Sequence, residues 1–381
     1  MKEISKRMIA SPIMASIAFV MELTLVPLLL PSIRDSYGLG IGELAWFFNS
    51  YAASMALGVI LGGWVGDVFG VRRVFAAGVL MFAAGALVVM AAGTFETLIA
   101  GRIVQGLGGG LFSPLVPILL TRAMPKRPGK ILIIWGSIAG YCAAIAPLIA
   151  GMTLDGTGWQ MVFALFAVLA GVALLLFGRG PAAPGDGATR RFPDLRLLLR
   201  VPMLWLAFGY IFCTYGVILF YLFKLPLRLT EAGLGPQAIG MSLAAMWLSF
   251  SISGTLLRNA VDGTHLQKIV LVAPLLIAAG FALLDLGEGI VAVGASAVFI
   301  GVGFACSNAP STQLVLRHAP SGLSGISASL DISFARLGGV TTVALLAQAG
   351  AGSSFSVILA MSVLASVFAL ITAGQTERVP V

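Results

Sequence analysis

The chain has 381 residues, 59% of them hydrophobic and only 10% charged, with a formal net charge of +8 and a mean hydropathy of +1.02. No water-soluble domain of this size can carry that composition on its surface, so the sequence reads as a polytopic membrane protein. Cys142, Cys213 and Cys306 lie in apolar stretches without CxxC or Cys/His spacing, a pattern that indicates packing residues rather than a disulfide scaffold or a metal site.

Apolar runs between polar breaks give twelve spans, at 8–30, 42–63, 74–92, 97–121, 130–152, 159–178, 202–225, 236–257, 268–285, 289–314, 322–349 and 352–373. Each is about 20 residues long, the length of helix that crosses a hydrocarbon core of ~30 Å, and about twice what a barrel strand needs. The expected fold is all-α, twelve transmembrane helices in two six-helix bundles. Residues 1–178 form the first bundle, 179–201 a cytoplasmic linker rich in Pro, Gly and Arg, and 202–381 the second bundle.

The first span follows Lys2, Lys6 and Arg7 like a signal peptide, but its length, the lack of a small-residue cleavage site and an internal acid mark it as a spanning helix. That acid, Glu22, is the most informative residue of the chain. An ionised side chain at mid-bilayer costs roughly 2.5 to 3.5 kcal/mol on insertion scales, so an acid kept there binds a proton, an ion or a cationic ligand, or closes a buried ion pair. Trp46 and Phe47, at the start of the second span, fit an outer aromatic belt.

Placing the N-terminus in the cytoplasm puts most of the 23 Lys and Arg on that side, with Arg34 and Arg228 clearly outside. The positive-inside rule therefore predicts both termini in the cytoplasm, and the basic balance is a topology signal with anionic headgroups as partners, not nucleic acid.

Between the second and third spans the chain reads Gly63-Trp64-Val65-Gly66-Asp67-Val68-Phe69-Gly70-Val71-Arg72-Arg73. The fourth span carries Gly101-Arg102-Ile103-Val104-Gln105-Gly106-Leu107-Gly108-Gly109-Gly110, whose glycines admit a neighbouring helix and whose arginine needs an anion or carbonyl partner at that depth. The eleventh span holds a second acid in Ser329-Leu330-Asp331-Ile332-Ser333-Phe334-Ala335-Arg336-Leu337-Gly338-Gly339. Asp331 and Arg336 are five positions apart, roughly 140° around a helix, so they cannot pair face to face and Asp331 needs a partner on another helix, a proton or a ligand.

These motifs resemble the major facilitator superfamily. The first is similar to its GxxxDxxGxxR loop, the second to its RxxQGxG element. Glu22-Leu23-Thr24 followed by Leu30-Pro31-Ser32-Ile33 is similar to the drug:proton antiporter branch, with Glu in place of Asp. The fifth span, with Gly136, Gly140 and Ala146-Pro147-Leu148-Ile149-Ala150-Gly151, only approximates the antiporter motif, two of whose glycines are alanines here. The eleventh span is similar to a segment with Asn where this chain has Asp331.

The resemblance implies the major facilitator fold, working as a monomer in a bacterial inner membrane, with a small-molecule substrate, protons and the lipid bilayer as partners and no cofactor. It implies proton coupling through Glu22, Arg102 and Asp331, and a cytoplasmic gate at Gly63, Asp67, Gly70, Arg72 and Arg73. Substrate-cavity candidates are Tyr210, Tyr215, Lys224, Asn308, Gln313 and Arg336. The spans leave Lys224 and Arg228 at one end of the seventh helix, where snorkelling to headgroups competes with a charged rim.

No Walker sequence occurs, His265 and His318 fall at the predicted cytoplasmic surface, and no nucleophile, base and orienter share a spacing, so neither an ATP-driven pump nor an enzyme is expected. The function expected is proton-coupled export of a small amphipathic organic compound. The alternatives are proton-coupled transport of a specific polar or zwitterionic metabolite, and a non-transporting membrane sensor.

Overall fold

A computed structural model describes residues 2–177, 196–261, 265–287, 289–320 and 323–376. Every regular element among them is helical. They divide into two compact units, Met1–Phe192 and Pro193–Val381.

The first unit contains α1 (Lys2–Tyr37), α2 (Ile41–Phe69), α3 (Val71–Met90), α4 (Phe95–Phe112), α5 (Val116–Ala123), α6 (Pro128–Thr157) and α7 (Gln160–Leu176). A 3-10 turn, Ser113–Leu115, joins α4 to α5 where Pro114 and Pro117 interrupt the hydrogen-bond ladder. The two helices therefore make one span, Phe95–Ala123. The second unit contains α8 (Arg196–Leu199), α9 (Pro202–Glu231), α10 (Pro236–Val261), α11 (Leu266–Leu286), α12 (Gly289–His318), α13 (Ser324–Leu346) and α14 (Ala351–Thr376). Most of the expected linker lies outside the described residues, but its last part forms α8, whose Leu198 is buried in the core of the second unit.

Eleven of these stretches are long and apolar enough to cross a membrane. The twelfth, α7, has 17 residues and so reaches about 26 Å. The helices overrun the apolar runs read from the sequence because helix geometry continues until a stop signal, not until the first polar residue. Gly38, at φ +64°, ends α1 in the left-handed region, and Leu39 N–H donates to the Arg34 carbonyl. Residues such as Leu175 and Val291, more than four-fifths exposed, are what lipid replaces water for.

Both units are assembled in the same way. In the first, α4 packs between α2 and α3, and α1 packs on α6 and α7; in the second, α12 packs between α10 and α11, and α9 on α13 and α14. The match extends to single residues at one constant offset along the chain. Gly233, at φ +75°, ends α9 as Gly38 ends α1, with Leu234 N–H donating to Leu229. A Cβ on Gly106 would run into the backbone of Tyr51 on α2, and one on Gly301 into the backbone of Met246 on α10. On the opposite side of the same helices, Gly108 closes on Gly78 and Phe82, and Gly303 on Ala273 and Ile277. Close approach through small residues supplies the dispersion contacts that hold helices together where lipid removes the hydrophobic driving force. Cys213 and Cys306 pack in the core of the second unit.

Candidate functional site

Glu22 lies midway along α1 and Arg102 in the second turn of α4; each is 1% exposed. Arg102 Nη1 donates to Glu22 Oε1 at 2.7 Å and to Gln105 Oε1 at 2.9 Å. Gln105 is three residues on, hence on the same face of α4, and is fully buried. Three rings surround the guanidinium, with centroids 4.4 Å (Tyr51), 4.9 Å (Phe47) and 5.9 Å (Phe163) from Cζ. Gly106 makes the box possible, because only a missing Cβ lets α2 bring Tyr51 onto α4. The rings present their negative faces to the cation but accept no strong hydrogen bond, so Glu22 and Gln105 supply those.

A guanidinium stays charged at any accessible pH. In a buried pair, removing one partner strands the other charge at about 3 to 5 kcal/mol. A proton arriving at Glu22 would therefore compete directly with Arg102 for the carboxylate.

Glu22 and Arg102, expected from the resemblance to work together, lie in one polar pocket. Phe47, expected in an aromatic belt beside Trp46, is instead fully buried under Arg102, whereas Trp46 is 69% exposed. The period of the sequence does not separate these neighbours; the side of α2 that meets α4 does.

In the second unit, Asp331 on α13 is 3% exposed and accepts a hydrogen bond from Thr312 Oγ1 on α12 at 2.7 Å. Its other oxygen, Oδ1, is buried without a hydrogen bond, as is Arg336 Nε. Among the described residues no ion pair joins Asp331 to Arg336, as the helical spacing requires. Tyr215 donates to Asn308 Oδ1 at 2.6 Å and packs edge-on against Phe304. Tyr215 of α9 and Asp331 of α13 each hydrogen-bond to α12, through Asn308 and Thr312, which brings the three helices to neighbouring polar contacts. Gln313 on α12 is half-buried.

Two expected cavity residues are otherwise engaged. Tyr210 is buried in the core of the second unit, where its hydroxyl donates to the Val270 carbonyl. Lys224 does not snorkel: its Nζ pairs with Asp285 Oδ1 of α11 at 2.6 Å and lies 5.0 Å from the Phe281 ring. Asp285 ends an apolar run, and nothing in its local pattern announces a cross-helix partner.

Of the expected gate, Gly63 is half-buried in α2 and Gly70, at φ +91°, makes the turn between α2 and α3. Arg72 Nη2 donates to the Phe177 carbonyl at 3.3 Å and its guanidinium covers the Phe177 ring at 4.6 Å, binding the start of α3 to the end of α7. Arg73 is exposed. The side chain of Asp67 lies outside the described residues.

Twelve apolar helical stretches among the described residues, with Glu22, Arg102, Lys224, Asp285 and Asp331 set within them in contact with other helices, are the layout of a multi-pass membrane transporter. The chain belongs to the Major Facilitator Superfamily, whose profile matches residues 13–343; it is a family of transporters, not enzymes.

Among its relatives is a tetracenomycin C resistance and export protein of Streptomyces glaucescens, 31% identical over 173 residues, covering 43% of this chain and 32% of the relative. A multidrug resistance protein B homolog of Mycobacterium tuberculosis is 28% identical over 243 residues, 63% of this chain and 43% of the relative. A methylenomycin A resistance protein of Streptomyces coelicolor is 28% identical over 193 residues, 50% and 41% respectively. The matches thus span from about a third to two-fifths of these relatives' own length. A crystal structure of a D-xylose-proton symporter shares the fold, with a TM-score of 0.76 and 16% identity over 97% of this chain and 96% of that one.

Proposed function

We propose that this protein is a proton-coupled secondary transporter that exports a small amphipathic organic compound by alternating access. The observation that carries this reading is the buried Glu22–Arg102 pair, a carboxylate bonded to a guanidinium that Gln105 also accepts from and that aromatic rings surround. Protonation of Glu22 weakens its hold on Arg102, and a step that changes the charge pairing between α1 and α4 is suited to drive a change in their packing. Asp331 is proposed as a second titrating carboxylate. Resistance and export proteins among the relatives support the direction and the substrate class. In this reading the transporter lies in a bacterial inner membrane with both termini in the cytoplasm, and the gate residues Gly63, Asp67, Gly70, Arg72 and Arg73 work on that side.

Asp331 and Arg336 favour a second reading, a narrow transporter of a polar or zwitterionic metabolite, since they bring fixed charge that a polyspecific cavity does not require. The pairing of Lys224 with Asp285 removes one cation from that argument.

Reconstitution in liposomes with a trapped pH dye tests both readings. Proton flux elicited by many unrelated lipophilic compounds supports drug export, and flux elicited by one metabolite class supports the narrow reading. Counterflow of no compound, with binding intact, would replace both with a sensor.

A further inference from the structure

We propose that Gln105 is a positioning residue for proton coupling: it is the neutral second acceptor that keeps Arg102 in place when Glu22 carries a proton. The inference rests on the proposal that Glu22 is protonated during transport. Arg102 uses a single nitrogen, Nη1, for both acceptors, at 2.7 Å to Glu22 and 2.9 Å to Gln105. When a proton from water settles on the carboxylate, the Nη1–H bond to Glu22 weakens and the bond to Gln105 Oε1 remains, with no change of rotamer. The rings of Phe47, Tyr51 and Phe163 stabilise the cation through their faces. They cannot replace a hydrogen-bond acceptor, and a buried cation without one is strongly disfavoured.

Gln105 is suited to this in a further respect. Its Nε2 is buried and makes no hydrogen bond, so the bond to Arg102 alone orients the amide, which is free to follow the guanidinium. A glutamine held at both ends would resist such movement.

Several titratable or charged groups sit on the elements packed against α1 and α4. They are Glu43 and Tyr51 on α2, Arg72 and Arg73 in the first turn of α3, Arg122 on α5, and Lys130, Tyr141 and Cys142 on α6. Tyr51 stands directly against the pair. Glu43, Arg72, Arg73 and Lys130 are at helix starts, and Tyr141 is exposed.

The test is the pH dependence of substrate-driven proton flux in liposomes for wild type, Gln105→Leu and Gln105→Glu, with thermal melting in detergent as the check on folding. Gln105→Leu removes the neutral acceptor, so the proton on Glu22 is disfavoured. The midpoint of the flux profile is expected to move to lower pH by about tenfold in proton concentration, the factor a hydrogen bond to a charged group supplies. Gln105→Glu gives Arg102 a second anion and frees Glu22, so its midpoint is expected to move to higher pH. Being nearly isosteric, it carries the test if the leucine variant does not fold. Reduced flux in both folded variants at an unmoved midpoint would assign Gln105 a purely structural part and overturn the inference alone. A wild-type flux that does not depend on pH would overturn the proton reading and the inference with it.

Discussion

The two units share a frame and differ in what fills it. Gly106 and Gly301 close the same helix contact, and so do Gly108 and Gly303. At the same offset, the positions of Glu22, Arg102 and Gln105 in the first unit are taken in the second by Val217, Ala297 and Ile300, all buried. One small substitution shows how closely the frame is kept. Gly101 rests against the Gly85 carbonyl, and its counterpart Ser296 donates a hydrogen bond at 2.6 Å to the carbonyl of Gly280. A frame that packs stably with Val, Ala and Ile has no structural need for a buried charge pair. The role proposed for the pair in the first unit accounts for a charge pair that the shared frame itself does not call for.

The strongest way to break the comparison is to remove half of the pair. Arg102→Met leaves the Glu22 carboxylate buried without its cation and is expected to destabilise the protein by about 3 to 5 kcal/mol, read as loss of folded protein in detergent melting. Making the first unit imitate the second, through E22V, R102A and Q105I together, is expected to restore a melting temperature near wild type while abolishing transport. If that triple variant unfolded, the pair would be part of the frame after all.

Overpacking the shared contact tests its equivalence. Gly106→Val and Gly301→Val each force a side chain into a facing backbone, and both are expected to cost about 1 to 3 kcal/mol in the same melting assay. A loss confined to one unit would show that the repeated glycines carry different loads. Thr312→Val removes the hydrogen bond to a buried carboxylate, about 1.5 to 3 kcal/mol when the group is charged and less when it carries a proton. Its cost is therefore expected to rise with pH, and a cost independent of pH would argue against Asp331 as a titrating group. Ser296→Ala, which reverts toward Gly101 and deletes the contacts to the Gly280 carbonyl and the Tyr221 hydroxyl, is expected to cost about 1 to 2 kcal/mol.

Much of this was legible in the sequence. The twelve apolar runs, the buried acid of the first span and the arginine of the fourth follow from the expense of polar groups in hydrocarbon, and the helical spacing of Asp331 and Arg336 excluded their pairing. The internal repeat was also present as a signal, since the tripeptide Gly-Leu-Gly stands at 38–40 and again at 233–235 where each unit's first long helix stops. What was not legible was rotation about helix axes. Phe47 and Trp46 are adjacent and chemically alike, and only the closeness permitted by Gly106 sends one under Arg102 and the other outward. Lys224 was equally opaque, because its partner Asp285 is on another helix and packing alone brings the two together. Thr312 escaped notice for the same reason, being an ordinary helix residue until α13 presents Asp331 to it.

The central claim is that the Glu22 carboxylate carries the coupled proton, and Glu22→Gln tests it most directly. The amide keeps the shape and can still accept from Arg102, so the variant is expected to fold and to bind substrate. In liposomes with a trapped pH dye, substrate-driven proton flux should be present in wild type and absent in Glu22→Gln. Proton flux of wild-type size in the variant would contradict the account.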